Sequence, residues 1–178
     1  MLRAVGGEET LGVDISGLGT PELFVLYRSI LAELRDRQVI RTENAPAGDY
    51  AEYLIATALG GTLAPNSEKS WDVLLPDQRR IQVKARVVSS PPTRSQRQLS
   101  PFRSFDFDAL IVVLLANSDY SIWRAVEVPA AVVKAHARRS DHVNGSILHA
   151  TDDILDHELA TDLTLRLGGS SPEEGTRG

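Results

Sequence analysis

Residues 70–88, with the sequence SWDVLLPDQRRIQVKARVV, decide the fold of this chain. Trp71–Leu75 and Arg80–Val88 are rich in the apolar and β-branched residues that favour strands. The residues between them, 76–79, read Pro-Asp-Gln-Arg and have the chemistry of a turn. The stretch therefore predicts a β-hairpin.

Polar side chains interrupt both predicted strands of the hairpin. Gln82 and Lys84 are two residues apart, so they share one face of their strand. Ile81 and Val83 take the opposite, apolar face. Asp72 stands at the head of the preceding strand, and a turn at the predicted position brings it close to the polar pair.

The segments on either side of the hairpin predict an α/β fold. Thr20 reads as the N-cap of a helix over 21–37, and apolar residues at helical spacing predict a second helix from 46–49 to Leu59. The apolar run Ala109–Ala116 predicts a strand buried on both faces. The other predicted elements are a polar loop over 89–101, a strand over 121–128, a helix from Pro129 to about Arg138, a short strand near 147–149 and a polar helix from about Asp152.

These elements predict one domain with a central mixed β-sheet flanked by helices. The chain of 178 residues is long enough for a single domain, which we expect over 19–168 with a core over 46–116. The Gly-rich segment 1–18 predicts a flexible arm, and 169–178 predicts a disordered tail.

Composition removes several classes of function. The chain has no cysteine, which excludes disulfide scaffolds, thiol catalysis and cysteine-based zinc sites and fits a reducing cytoplasm. No apolar run reaches the roughly 20 residues that span a bilayer, so we expect a cytoplasmic protein without membrane contact. The phosphate-binding motifs GxxxxGK[ST] and GxGxxG are absent, as are HxH and HExxH among the histidines.

Basic residues are concentrated in one segment although the net charge is −5. Between Gln78 and Arg103 every charged side chain is positive. This clustering indicates a local polyanion site, and we expect four of its arginines to hold DNA phosphates without reading sequence. They are Arg86, Arg94, Arg97 and Arg103. The alternative is a solvated hairpin and loop that happen to carry arginines.

The polar residues around the hairpin suit phosphodiester hydrolysis. Such a reaction uses a hard divalent cation, bound by oxygen ligands, to neutralise charge and activate water. Asp72 offers a carboxylate, Gln82 an amide oxygen, and Glu52 on the preceding helix a second carboxylate, directly or through water. Lys84 is placed to orient the water and to stabilise charge on phosphorus. The alternative for Glu52, Gln82 and Lys84 is a solvated surface, and for Asp72 a hairpin cap or ion pair.

A glutamate on a helix, an aspartate on a strand and (D/E/Q)-x-Lys on the partner strand resemble the PD-(D/E)xK nuclease superfamily, also called restriction endonuclease-like. The resemblance covers about residues 46–116 and implies a restriction-endonuclease-like core. It implies Asp72 as the main metal ligand, Gln82 as the second and Glu52 as the helix carboxylate. It implies Lys84 as the catalytic lysine. The stretch from 41 to 86 also resembles a family of uncharacterised bacterial proteins built on this core, which indicates no substrate.

The chain departs from the superfamily pattern at two positions. Trp71 precedes the aspartate where the pattern has proline, and Gln82 replaces the usual acid. The Gln-x-Lys form resembles a known restriction branch, so it is compatible with activity. The loss of one negative charge makes Glu52 more important for holding a divalent ion.

The resemblance implies a Mg²⁺-dependent DNA endonuclease, with Mn²⁺ as a possible substitute and a role in restriction or defence. A homodimer is expected, because a duplex has two strands and one such core cuts one. The alternative is a catalytically inactive nuclease-fold module that binds DNA or another partner, in which Gln82 marks lost catalysis. A purely structural protein is the third reading, and RNA stays open as a substrate.

Overall fold

The computed structural model describes residues 12–41, 46–65, 67–68 and 70–169. Its helices are α1 (Thr20–Asp36), α2 (Ala47–Leu59), α3 (Ala130–His136) and α4 (Asp152–Leu155). Its strands are β1 (Thr62–Leu63), β2 (Val73–Leu74), β3 (Arg80–Val88), β4 (Ala109–Ala116), β5 (Ile122–Pro129), β6 (Arg138–Ser140), β7 (Gly145–Ile147) and β8 (Thr161–Asp162). Short 3-10 helices lie at Ser95–Arg97 and Leu165–Leu167.

Two compact units divide the chain. The first ends at residue 44 and contains α1, and the second begins at residue 45 and contains the other elements. The predicted extent of a single domain over 19–168 therefore stays a prediction. Most of the predicted arm, 1–11, and of the predicted tail, 170–178, lies outside the described residues.

Helix α1 begins one residue earlier than the sequence predicts. Its N-cap is Gly19, and Thr20 is already helical, so the prediction of Thr20 as N-cap was wrong. The reason is local. The Glu22 carboxylate accepts a hydrogen bond from the Gly19 N–H at 2.7 Å and so provides a partner for a backbone N–H at the start of the helix. The helix ends at Asp36, close to the predicted end.

The central sheet of the second unit has six strands in the order β1-β2-β3-β4-β5-β8. Strands β3 and β4 are parallel, and the other neighbours are antiparallel. The predicted α/β class with a central mixed sheet is thus confirmed. The predicted hairpin is confirmed too, since the Leu75 N–H donates to the Arg79 carbonyl at 2.9 Å around a turn with Gln78 at φ 70°.

Strand β4 is buried on both faces, as its uninterrupted apolar sequence predicts. Leu110, Val112 and Leu114 belong to one apolar core. Ile111 and the other β4 residues that point to the opposite face belong to a second core, together with residues of α2. The alternation of side chains along one strand therefore separates a core under α2 from a core on the opposite face of the sheet.

Helix α2 ends where the sequence predicts. Gly60 adopts the left-handed conformation at φ 67° and caps the helix. A Cβ on the next residue, Gly61, would lie 2.6 Å from Val73 Cγ1 and 3.1 Å from the Leu74 carbonyl oxygen. This close approach lets the chain turn directly from α2 into β1, which pairs with β2.

The C-terminal part of the chain differs most from expectation. The predicted helix from Pro129 to about Arg138 ends at His136, and Arg138 begins β6, which pairs with β7. The predicted strand near 147–149 lies at 145–147, and the predicted polar helix from Asp152 is a single turn. Isolated bridges from Gln98 to His149 and from Phe102 to Ser146 join this part of the chain to the loop after β3, and local patterns do not reveal such long-range contacts. No helix in the described ranges is long and apolar enough to span a membrane.

Candidate active site

Asp72 is fixed by the hairpin that carries it. The register pairs Val73 with Ile81, and the Asp72 N–H donates to the Ile81 carbonyl at 2.8 Å. One carboxylate oxygen of Asp72, Oδ2, accepts the Val83 N–H at 2.7 Å and also accepts the side-chain amide of Gln82. The predicted proximity of Asp72 to the Gln-x-Lys strand is therefore present in the structure.

Gln82 is a buried polar residue, with only 8% of its surface exposed. A buried amide needs hydrogen-bond partners, and its Nε2 group finds one in the Asp72 carboxylate. Because the nitrogen donates to Asp72, the carbonyl oxygen is the atom of this amide that can serve as a ligand. The reading of Gln82 as a solvent-facing strand residue does not fit this burial.

Lys84 lies on the same strand face as Gln82 and is partly buried. Its Nζ atom lies 5.3 Å from the centroid of the Phe102 ring. Burial lowers the pKa of the Lys84 ammonium below its ordinary value, and the attraction of Asp72 and Glu52 opposes that shift. Both carboxylates thus act on one amine, which brings the four predicted catalytic residues into a single electrostatic neighbourhood.

Glu52 reaches this neighbourhood from helix α2. Two neighbours on that helix, Ala51 and Ile55, are fully buried in the core that also contains Ile81 and Val83. Helix α2 therefore covers the sheet face opposite Gln82 and Lys84. Its attraction to Lys84 nonetheless makes Glu52 part of the candidate site.

The candidate site offers oxygen ligands of the kind that Mg²⁺ and Mn²⁺ prefer. These are the carboxylates of Asp72 and Glu52 and the amide oxygen of Gln82. Within the ranges that the structure describes, no group of three or more His, Cys, Asp or Glu residues is arranged to hold a metal. A divalent ion at this site would therefore depend on Gln82 as well as on the two acids, and the donor types fit such an ion.

Two of the four predicted DNA-binding arginines are partly buried and have structural partners. Arg86 donates from Nε to the Gln96 carbonyl at 3.2 Å and so holds the loop that follows β3. Arg97 donates to the Asp152 carboxylate at 2.7 Å, and its side chain is only 17% exposed. Arg97 thus links the 3-10 helix to the start of α4, and the structure favours a positioning role for it.

The other two predicted arginines lie nearer to solvent. Arg103 is exposed and donates to the carbonyls of Val143 and Asn144 at 2.5 Å each, which anchors the turn of the β6–β7 hairpin. Arg94 is exposed and lines a cleft beside that hairpin. The four arginines therefore differ in their freedom to bind phosphate.

Phe102 is the residue near the site that the sequence does not predict. Its backbone pairs with Ser146, with N–H to carbonyl distances of 2.8 Å and 2.9 Å in the two directions. This pairing holds the ring against Lys84. The sequence shows closely spaced phenylalanines at 102, 105 and 107, but no local pattern relates them to a lysine in β3. Trp71 and Trp123 pack against the core on this face.

Comparison with models of known protein families finds no match to this chain, and a search of curated proteins finds no relative. The residues of the hairpin and of α2, and the chemistry that they allow, therefore indicate the function.

Proposed function

We propose that this protein is a metal-dependent DNA endonuclease with a PD-(D/E)xK-type site of the Gln-x-Lys form. One observation carries the proposal: Asp72 and Gln82 are joined by a hydrogen bond beside a partly buried Lys84 that feels the charges of Asp72 and Glu52. If Asp72 were only a hairpin cap and Lys84 only a solvated lysine, the structure would not need a buried amide that shares the carboxylate, nor a lysine of lowered pKa.

In this proposal Asp72, Glu52 and Gln82 hold a Mg²⁺ or Mn²⁺ ion. When bound, such an ion supplies charge neutralisation at the phosphate and a more acidic water. The Val83 N–H and the Gln82 amide fix the position of the Asp72 carboxylate before substrate arrives. This preorganisation reduces the reorganisation that charge development on a phosphate would otherwise require.

Lys84 has two roles in the proposed reaction. In its charged form it attracts the scissile phosphate and donates hydrogen bonds to its oxygens. Because burial lowers its pKa, it also releases a proton at lower pH than an exposed lysine does. The Phe102 ring, with its centroid 5.3 Å from the Lys84 Nζ atom, borders the amine on one side.

DNA is the proposed substrate because the segment around the site is rich in arginine and free of acids. We propose a homodimer in the cytoplasm, in which each copy cuts one strand of a duplex, and a role in restriction or defence as the resemblance implies. Among the described residues, Arg94 is the predicted phosphate contact that is exposed and has no side-chain hydrogen bond to a neighbouring loop.

Cleavage of supercoiled plasmid by the purified protein tests the proposal. Nicking or cutting is expected with Mg²⁺ or Mn²⁺ and not with EDTA. Lys84→Ala and Asp72→Asn should abolish it, whereas Lys134→Ala, which changes an exposed lysine on α3, should retain it. Cleavage that persists in Lys84→Ala would point to a contaminating nuclease, and absence of cleavage with either metal would reject the proposal.

Gln82 favours one other candidate, an inactive nuclease-fold module that binds DNA without cutting it. An amide in place of an acid lowers the negative charge that attracts a divalent ion. Gln82→Glu distinguishes the two functions. In an inactive module this change should create Mg²⁺-dependent cleavage or Mg²⁺-dependent thermal stabilisation that the wild type lacks. In an active Gln-x-Lys enzyme the wild type should already show both.

A further inference from the structure

A second polar site lies away from the hairpin, in a cleft of about 330 Å³ beside strands β6 and β7. Its polar lining consists of Arg94, His136, Arg138, His149, Thr151 and Asp153. These side chains come from the loop after β3, from α3, from the β6–β7 hairpin and from α4. Elements distant in sequence therefore converge on one opening.

The lining of this cleft is predominantly cationic. Arg94 and Arg138 are exposed, and in the part of the chain that the structure describes neither forms an ion pair. Asp153 is the acid that lines the cleft. The neighbouring acid Asp152 is already paired with Arg97 at 2.7 Å. Positive charge thus exceeds negative charge at the opening.

Backbone pairing fixes the walls of the cleft. The Leu99 N–H donates to the Leu148 carbonyl at 3.0 Å, and the Ala150 N–H donates to the Arg97 carbonyl at 2.8 Å. His136 is held by a 2.9 Å contact between its Nδ1 atom and the Val132 carbonyl. The cleft is therefore largely preorganised, as binding sites generally are.

The loop that carries Arg94 is also held in place. The side-chain oxygen of Gln96 accepts hydrogen bonds from the Thr93 N–H at 2.9 Å and from the Ser89 hydroxyl at 2.9 Å. Arg94 lies between these anchored residues and projects from an ordered turn. Guanidinium groups on fixed supports suit phosphate oxygens, because their donors form a planar fork.

We propose that this cleft binds a phosphate group. The backbone of a DNA strand is the favoured source, which rests on the proposed nuclease function, and a small phosphorylated molecule has the same chemistry. The pairing between 97–102 and 146–150 that walls the cleft also holds Phe102 against Lys84. The cleft and the candidate active site thus share one supporting segment, so a strand bound at one could continue to the other.

Salt-dependent DNA binding tests the proposal. Anisotropy of a labelled duplex is measured with Ca²⁺ in place of Mg²⁺, over a series of salt concentrations. The double variant Arg94→Gln, Arg138→Gln should bind roughly tenfold more weakly, as expected for lost charge-assisted hydrogen bonds. The slope of log affinity against log salt should fall in magnitude by about one, as for one phosphate contact.

Arg139→Gln is the matched control. Arg139 lies beside Arg138 on β6, is exposed, and donates to the Asn144 side chain at 3.0 Å. It does not line the cleft, so its replacement should leave the salt slope unchanged. If Arg139→Gln lost as much DNA affinity as the double variant, the proposal would be overturned, because DNA would then be attracted to the basic surface in general.

Thermal unfolding with inorganic phosphate and pyrophosphate separates the two sources. If a small phosphate is the ligand, it should stabilise the wild type and not the double variant, while DNA binding stays the same in both. If the double variant changes neither the affinity for DNA nor the stabilisation by phosphate, the cleft proposal is rejected. Plasmid cleavage distinguishes the two proposals. If the wild type cleaves DNA but the double variant changes neither DNA binding nor phosphate binding, only the cleft proposal is rejected. If the cleft binds phosphate but the protein neither cleaves nor binds DNA, only the nuclease proposal is rejected.

Discussion

The ammonium nitrogen of Lys84 lies 5.3 Å from the centroid of the Phe102 ring. Phe102 is 3% exposed and stacks against Phe105, with ring centroids 5.8 Å apart. An aromatic face attracts a cation, while its bulk excludes water. The lysine proposed to act on the phosphate is therefore covered by a ring that comes from a different part of the chain.

Phe102→Ala should raise the pKa of Lys84 towards its ordinary value. Burial is the largest cause of the lowered pKa, so admitting water to the amine outweighs the loss of attraction to the ring. The change should also cost about 3–5 kcal/mol of folding stability. Side-chain NMR titration of Lys84 and urea unfolding measure the two effects. Phe105→Ala should lower stability without moving the lysine pKa, and a shift of equal size there would contradict this account.

Lys84→Met should stabilise the protein near neutral pH. The folded-state pKa of Lys84 lies below its ordinary value of 10.5, so the folded protein holds this proton less tightly than the unfolded chain does. Between the lowered pKa and 10.5 the unfolded chain binds more protons, and wild-type stability therefore rises with pH in that window. The difference in folding stability between Lys84→Met and the wild type should accordingly shrink as pH rises through this window. Urea unfolding across alkaline pH measures it, and a constant difference would refute the role of the charge.

Asp72→Ala should be less stable than Asp72→Asn. The alanine leaves the Val83 N–H and the Gln82 amide without their shared acceptor, at about 1–3 kcal/mol for each buried group. The asparagine keeps an oxygen that can accept these bonds, although both variants should be inactive. Denaturant unfolding of the two proteins gives the comparison. Equal stabilities would show that the carboxylate does not support the hairpin.

Gly61→Ala should destabilise the fold by about 1–3 kcal/mol, because an added methyl group overlaps Val73 and the backbone of β2. The displaced strand carries Asp72 at its head, so proposed cleavage should fall as well. Gly48→Ala is the control, since nothing lies within 4 Å of its added carbon and alanine favours α2. Calorimetry should show a lower Tm for the first variant and an equal or higher Tm for the second.

The central part of the fold could be predicted because its signals are local. The Pro76 turn, the two-residue period around Gln82 and the apolar run of β4 each act within a few residues. Strands β1 and β8 have two residues each and were not predicted, since they exist through pairing with β2 and β5. The predicted helix extended to Arg138, the first residue of β6, and the pairing of β6 with β7 was not predicted.

The candidate site divides in the same way. The proximity of Asp72 to Gln82 follows from the turn and the register, so the sequence predicts it. The roles of the arginines do not follow, because Arg97 meets Asp152 across 55 residues of chain. The cover of Lys84 by Phe102 also depends on tertiary structure, through the pairing of Phe102 with Ser146. Long-range contacts therefore decide which basic residues are structural and which are exposed.

Strand β4 joins its two neighbours in different ways. A short turn connects it to β5, whereas the longer connection over 89–108 leads to it from β3, so we expect the β4–β5 hairpin to form before the parallel pairing with β3. Until that pairing forms, ALIVVLLA would present an uncharged, proline-free edge, which is the signature of aggregation-prone segments. Refolding yield should therefore fall as protein concentration rises. In the native sheet β3 occupies this edge, so the strand that carries Gln82 and Lys84 also protects the chain from self-association.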